Sequence, residues 1–444
     1  MVTALVVVAV VAVVAGLPYW LPRAVVALRI WIFAAVNGEE GVPVPGPQVG
    51  ADRFKELYAH PAARGRSRGA TLSDLFWYWL APGPEVHQEH LEPGPRYDDV
   101  ARTTRRLLAR PRTEMAALAT AAAGRVLDER PAGTRPARIR DLMMPVWAEV
   151  YYEVVFGERC PREARDLIVA NADDVITALK FTGRRHMDRR AALTAYLRDR
   201  VAAGTAVPLP ETLTAEQRLW YLQGTFFNTA VVQMSEAMAH LLMALAEHPD
   251  VRRRVRESGD AYLDRVIEES FRRWPLFGIA HRITTEEITV GDATLPAGSV
   301  LCFNYPEYHA TGFADAERFD PDRWADLAAR DVHHIPFGVT ANRPCPARAV
   351  APATMRAVTR EVLRRYDPYT SAAHIRSLPN RGPVILVPRG AARPRVRLAY
   401  LRFRDRWEDV WRSILQLAYG TAMVLHAKHL RLAERHFAEQ EQAA

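Results

Sequence analysis

The chain has 444 residues, 49% of them hydrophobic and 25% charged, which fits one large folded core or two modest ones and excludes a disordered chain. Its net charge of +8 is carried almost wholly by arginine, since Lys55, Lys180 and Lys428 are the lysines. A membrane surface or an acidic protein suits that balance, whereas the lack of a nucleic-acid motif, or of a basic run interleaved with aromatics, argues against nucleic acid. Cys160, Cys302 and Cys345 lie far apart without CxxC or zinc spacing, so a disulfide framework is not expected and a reducing, cytosolic setting fits.

From Met1 to Leu21 no side chain is charged, and Arg23 is the first that is. That length can cross a bilayer. No basic segment precedes it and no A-x-A site follows, so a retained anchor is expected rather than a cleaved signal. Arg23 and Arg29 then place the remainder on the cytoplasmic side. A second apolar run, AVVALRIWIFAAV, lies on the membrane or crosses it in part, and Trp20 and Trp31 suit an interface. This gives a membrane anchor and juxtamembrane segment over residues 1–37 and a Pro/Gly linker over 38–52.

From 53 to about 280 the pattern is helical, with apolar residues recurring at three and four in IRDLMMPVWAEVYYEVVFG and ARDLIVANADDVITALKF. The longest such segment, 219–249, is apolar nearly all round and ends in His248-Pro249, so it should be buried centrally. Strand signals come late: 282–303 alternates with turns at Gly291-Asp292 and Pro296-Ala297-Gly298, and GPVILVP follows at 382–388. The expected class is mainly α with small segregated β-sheets, over a body spanning 53–390.

Residues 391–444 form an amphipathic helical extension. Tyr400, Phe403, Trp407, Val410, Trp411, Ile414 and Leu415 share one stripe, with Arg402, Arg404, Arg406 and Arg412 interspersed. Two readings stay open: a helix docked on the body, or a basic amphipathic helix on the membrane beside the anchor. His426, His429 and His436 have no carboxylate or thiolate to complete a metal set.

The stretch HHIPFGVTANRPCPARAVA carries Cys345 between two prolines. A helix is expected to start at Pro346, a residue favoured at the first helical position. Its N–H groups and dipole would then face the sulfur, with Arg343 adding positive charge and Phe337 and Pro344 shielding it. Such a thiolate could bind iron. Taken alone, the loop fits an inert buried cysteine equally well.

Four segments in order resemble the cytochrome P450 family of haem-thiolate proteins. Glu269-Ser-Phe-Arg272-Arg-Trp-Pro275 matches its ExxRxxP helix motif, and Ala316-Glu317-Arg318-Phe319 is similar to its PERF motif. HHIPFG…NRPC resembles the haem loop FGxGx(R/H)xCxG, and the long helix ends in HP some twenty residues before Glu269. The agreement runs from about Arg105 to Pro388. The resemblance implies a P450-like fold and haem b, with Cys345 as axial iron ligand. It implies Arg343, Arg282 and Arg105 as propionate partners, Phe337 in the haem loop, and a buried structural cluster of Glu269, Arg272 and Arg318. The stripe Arg356, Arg360, Arg364 would lie where the family docks an electron donor such as a ferredoxin or reductase; a solvated face is the simpler alternative.

Three departures accompany the resemblance. The haem loop has one residue more than the family's, Thr340 or Ala341 replaces its second glycine, and Ala347 replaces the glycine after the cysteine. The stretch before Arg105 is short, so the N-terminal sheet and covering loops look reduced. The acid–alcohol pair of the long helix falls on Val232 and Gln233, neither an acid at neutral pH; Asn228 and Thr229 are the other polar candidates nearby.

The expected function is oxidation of a lipophilic small molecule in bacterial secondary metabolism, by a membrane-anchored monooxygenase or oxidase. The lost pair also admits a haem-thiolate reaction without oxygen activation: hydroperoxide or N–O cleavage, rearrangement, dehydration or nitrogen transfer. A haem-free helper protein is the non-enzymatic alternative.

Overall fold

The computed structural model describes residues 2–37, 41–65, 71–204 and 207–443. Most of the body is helical, and the described residues form three small sheets, of which the one containing Pro383–Pro388 packs Val384 and Leu386 into the helical core while the other two share a separate cluster. One sheet has the order β1-β6-β3, built from Val42–Val44, Val300–Asn304 and Ile279–Ile283. A second, β2-β8-β7, joins Arg135–Arg138, Pro383–Pro388 and Tyr366–Tyr369. The third is the hairpin of β4 (Ile288–Val290) and β5 (Ala293–Leu295), turned at Gly291, whose φ of 57° suits a residue without a Cβ. The late strand signals therefore fold as expected.

The expected linker does not stand apart from the body. Residues 42–44 pair in parallel with β6, Val42 opposite Leu301 and Val44 opposite Phe303. Val44 and Val49 are buried, with Phe54, Leu57 and Tyr58, against Phe303 and Tyr308. Apolar valines between the prolines give this stretch a core of its own, which overrides its turn-like composition.

The central helix, Ala215–Glu247, lies in the middle of the fold, and 83% of its most apolar stretch is buried. That burial identifies a core helix rather than a bilayer span. It opens on a capping box in which Thr214 Oγ1 accepts from the Gln217 amide and Gln217 Oε1 from the Thr214 amide. It closes at Glu247 because Pro249 starts the next helix, Pro249–Glu257. Across Thr225–Ala230 the hydrogen bonding widens to a π-helical turn. Such turns add one residue and commonly mark functional sites.

The N-terminal helix runs unbroken from Val2 to Asn37, so the two apolar runs form one element, long and apolar enough to cross a membrane. Residues 2–15 are exposed throughout; from Gly16 onward one face packs on the C-terminal helix, Arg395–Leu430. That C-terminal helix docks on the body. Leu398 and Leu401 cover Ile385 and Val387, while Met423, Val424 and Ala427 cover Leu75, Tyr78 and Trp79.

Candidate active site

The helix Asp260–Arg273 brings Glu269 into the interior behind the cysteine loop. Its carboxylate is inaccessible to solvent and receives five donors. Arg272 Nε and Nη2 reach it at 2.8 Å each, the Asp320 amide and Trp324 Nε1 at 2.9 Å, and Arg323 Nε at 3.2 Å. A buried charge so fully bonded is stable, and loss of any one donor leaves it undercompensated.

The second guanidinium in this cluster is Arg323, not Arg318 as expected from AERF. The Arg318 side chain is 71% exposed, and its ion pair is with Asp320, at 3.8 Å. What Arg318 supplies is its carbonyl, which accepts from Arg272 Nη2 at 3.1 Å. The sequence holds two similar quartets five residues apart, Ala316–Phe319 and Pro321-Asp322-Arg323-Trp324, and the second keeps the proline of the PERF pattern. That proline also begins the 3-10 turn Pro321–Ala325, which swings Arg323 and Trp324 inward.

The cysteine loop accommodates its extra residue in a tight turn. The Asn342 amide bonds to the Val339 carbonyl at 3.1 Å, and Cys345 N bonds back to Phe337 O at 3.0 Å. Asn342 Nδ2 ties the turn to the Tyr58 carbonyl at 2.7 Å, and Arg348 Nη1 reaches Thr340 Oγ1 at 3.0 Å. Side chains thus hold the closure that lost glycines would otherwise allow. Gly338 remains with φ 72°, and Arg343 adopts φ 50°, an uncommon and costly conformation for an L-residue. The Phe337 ring meets Phe271 edge-on at 5.3 Å.

No helix starts at Pro346. Residues 346–350 form successive turns, with Arg348 N on Cys345 O and Val350 N on Ala347 O, and the helix begins at Ala351. Pro352 takes the early helical position that Pro346 seemed to occupy. The sulfur still meets N–H donors, but they are the turn amides of Ala347 and Arg348. Burial pushes the Cys345 thiol up to about 11, against the pull of those amides and of the Arg348 charge. Arg343 is not the neighbouring charge that was expected, because its guanidinium turns away to the carbonyls of Arg64 and Leu91, at 2.5 and 2.6 Å.

Arg343 and Arg282 are instead buried beside one another. Arg282 donates to Tyr58 Oη at 2.7 Å and to the His281 carbonyl at 3.0 Å, with the Glu89 carboxylate 4.0 Å away. Burial and the Arg282 charge lower Arg343 to about 10. Among the described residues the Nε of each arginine lacks a hydrogen-bond partner, and no carboxylate lies within ion-pair distance of Arg343. Two neighbouring buried guanidiniums, with Glu89 about a third exposed and Glu92 as the carboxylates that act on them, form a positively charged pair with unused Nε–H donors, which fits a bound anion. Arg105 lies on the exposed face near the end of the helix Pro95–Leu108, where its charge, like that of Arg343, acts on Tyr97.

On the central helix, Thr225, Thr229 and Gln233 recur every fourth residue and are only partly buried, whereas Phe226, Phe227 and Val231 are fully enclosed. Asn228 is buried, its Oδ1 without a partner, and Val232 is also buried. Thr229 Oγ1 lies 2.9 Å from His87 Nε2. The Glu89 amide donates to His87 Nδ1 at 3.2 Å, so the neutral ring carries its proton on Nε2 and donates it to Thr229. No spacing in GPEVHQEHLEPGP singled out His87; it stands in a proline-rich loop remote in sequence from Thr229. The same segment supplies the Leu91 carbonyl to Arg343 and Glu89 to Arg282.

Behind the loop, the Arg356, Arg360 and Arg364 stripe lines a groove of about 470 Å³ with Arg112 and Thr113. Much of its charge is already engaged: Arg356 and Arg360 reach Asp260 at 3.1 and 3.2 Å, and Arg364 reaches Glu361 at 2.8 Å.

The family model described as Cytochrome P450 matches residues 162–391. The cytochrome P450 135B1 of Mycobacterium bovis is 37% identical over 142 residues, 32% of this chain and 30% of that relative. The cyclooctat-9-en-7-ol 5-monooxygenase of Streptomyces melanosporofaciens is 29% identical over 140 residues, 27% of this chain and 30% of its own length. The chain therefore aligns with less than a third of the length of these relatives. A six-coordinate cytochrome P450 from Thermus thermophilus superposes with a TM-score of 0.61 at 17% identity, over 76% of this chain and 90% of its own. At that identity the likeness speaks for the fold.

Proposed function

The chain belongs to the cytochrome P450 family, and from that premise we propose a haem-thiolate oxidoreductase that uses oxygen to oxidise a lipophilic small molecule of secondary metabolism. The observation that carries this reading is Cys345, faced by the Ala347 and Arg348 amides, in a body that also buries Arg282 and Arg343 side by side, each with an unpartnered Nε. Haem b, held without covalent linkage, would supply the reductive activation of oxygen and its transfer to the substrate.

Around it, Cys345 offers the sulfur ligand and Phe337 packs over the loop. Arg282 and Arg343 would hold the propionates, and the Glu269 cluster fixes the backbone that carries the cysteine. Arg105, which shares Tyr97 with Arg343, would be a third propionate partner. The groove at Arg356, Arg360 and Arg364 receives an acidic electron donor, with Asp260 tempering the attraction. The body begins at the β1 strand, and the Val2–Asn37 helix is its candidate membrane anchor, with Arg23 and Arg29 on the cytoplasmic side.

The His87–Thr229 bond favours oxygen chemistry over the oxygen-independent reading. The neutral imidazole is not an acid, but its Nε2–H bond to Thr229 Oγ1 fixes the threonine hydroxyl so that this hydroxyl's own proton can be donated from the half-buried face of the central helix. Gln233, on the same face, can orient a substrate or water but cannot supply a proton. In turnover with oxygen and an electron donor, Thr229→Val and His87→Phe should each raise the share of oxygen released as hydrogen peroxide roughly tenfold or more. Gln233→Leu should change it little. Unchanged coupling in both variants would remove the pair. Full anaerobic turnover of a hydroperoxide or N-acyloxy substrate, with no oxygen-dependent product, would overturn oxygen activation itself.

A further inference from the structure

The anchor and the C-terminal helix are joined in parallel register. Arg406 Nη1 donates to Tyr19 Oη at 3.0 Å, and Arg29 Nη1 donates to Gln416 Oε1 at 3.1 Å. Both pairs are separated by 387 residues, so the helices advance together without slipping over this stretch. The inner face of the C-terminal helix is used by the body. Its outer face is not: Val396, Tyr400, Phe403 and Trp411 are 61–84% exposed, and Ile414 and Leu415 continue the same stripe at 40%. Exposed Arg402 and Arg406 flank it.

From these observations we infer that the outer face of the C-terminal helix is a second membrane contact beside the anchor, with Trp411 at the headgroup–acyl boundary and Phe403 and Tyr400 deeper. The inference rests on the reading of Val2–Asn37 as an anchor. Residues 2–15, the part free of the body, are about 20 Å long. A hydrocarbon core is about 30 Å thick, so a bilayer that accepts the anchor must extend to roughly Leu21. By the shared register Leu21 lies level with Glu408, and the bilayer therefore passes alongside Val396, Tyr400 and Phe403. Trp411 falls just beyond, where indole rings partition to the interface, and the arginines can extend toward the headgroups. An exposed aromatic stripe of this length is otherwise a liability for a chain in water.

The test uses the full-length protein in vesicles of phosphatidylcholine and phosphatidylglycerol, with lipids brominated either near the headgroup or near the chain end. The emission lost in Trp411→Phe reports Trp411. It should be quenched roughly twofold more strongly by bromine near the headgroup. Phe403→Trp in the Trp411→Phe background should respond to deeper bromine, as the register requires. Protein that sediments with vesicles while both positions stay unquenched would overturn the inference and leave the anchor standing. Failure to sediment with vesicles at all would overturn both. A dimer in detergent that Trp411→Asp converts to monomer, without quenching in vesicles, would assign the face to a second copy and also overturn it.

Discussion

Cys345→Ser should abolish the long-wavelength Soret band of the reduced carbonyl complex and lower turnover by about a thousandfold or more, equivalent to roughly 4 kcal/mol of barrier. The hydroxyl replacing the thiol is a far weaker acid and cannot donate charge to iron as a thiolate does. The amides of Ala347 and Arg348 are aimed at the sulfur, and they cannot compensate for the change of ligand. The substitution removes little volume, so the loop should still close through Asn342 on the Tyr58 carbonyl and Cys345 N on Phe337 O. Cys160→Ser and Cys302→Ser are the controls. Cys160 is buried, with its thiol raised to about 12 chiefly by burial, and Cys302 lies in β6; both variants should keep the band. A normal thiolate band in Cys345→Ser would require another ligand and would displace the central assignment.

What the sequence made legible follows the range of the interactions involved. The central helix was readable because its apolar residues are continuous and a proline stops it, both local properties. Glu269 and Arg272 were readable because they bond across one helical turn. β1 was not, since its three residues find their partner some 260 positions away and prolines dominate the local pattern. His87 was not either: a loop histidine acquires meaning only when folding places Thr229 against it. The helix start was misplaced because Pro346 and Pro352 are equally good openings locally, and only the loop's hydrogen bonds choose between them. The π-turn at Thr225–Ala230 likewise has no composition signal, although it shifts the register of every later position counted along that helix.

The two quartets near residue 320 separate most sharply by stability. Arg323→Ala should cost about 3 kcal/mol, because it removes a buried guanidinium from a carboxylate that has no access to water. Arg272, Trp324 and the Asp320 amide would remain on Glu269, so the loss should stop short of complete unfolding. Arg318→Ala should cost less than about 0.5 kcal/mol, since its one ion pair is long and solvent-screened. Its carbonyl, the atom Arg272 uses, survives the substitution. The measurement is the denaturant midpoint of each variant, read together with the concentration at which haem absorbance is lost, because the Asp315–Trp324 segment and the Glu269 helix brace the cysteine loop. Glu269→Gln should exceed both, as it leaves two buried arginines facing a neutral amide whose NH₂ group opposes their donors. If instead Arg318→Ala were the costly change and Arg323→Ala the mild one, the cluster would be built from Ala316–Phe319 after all, and the loop's support would have to be redrawn.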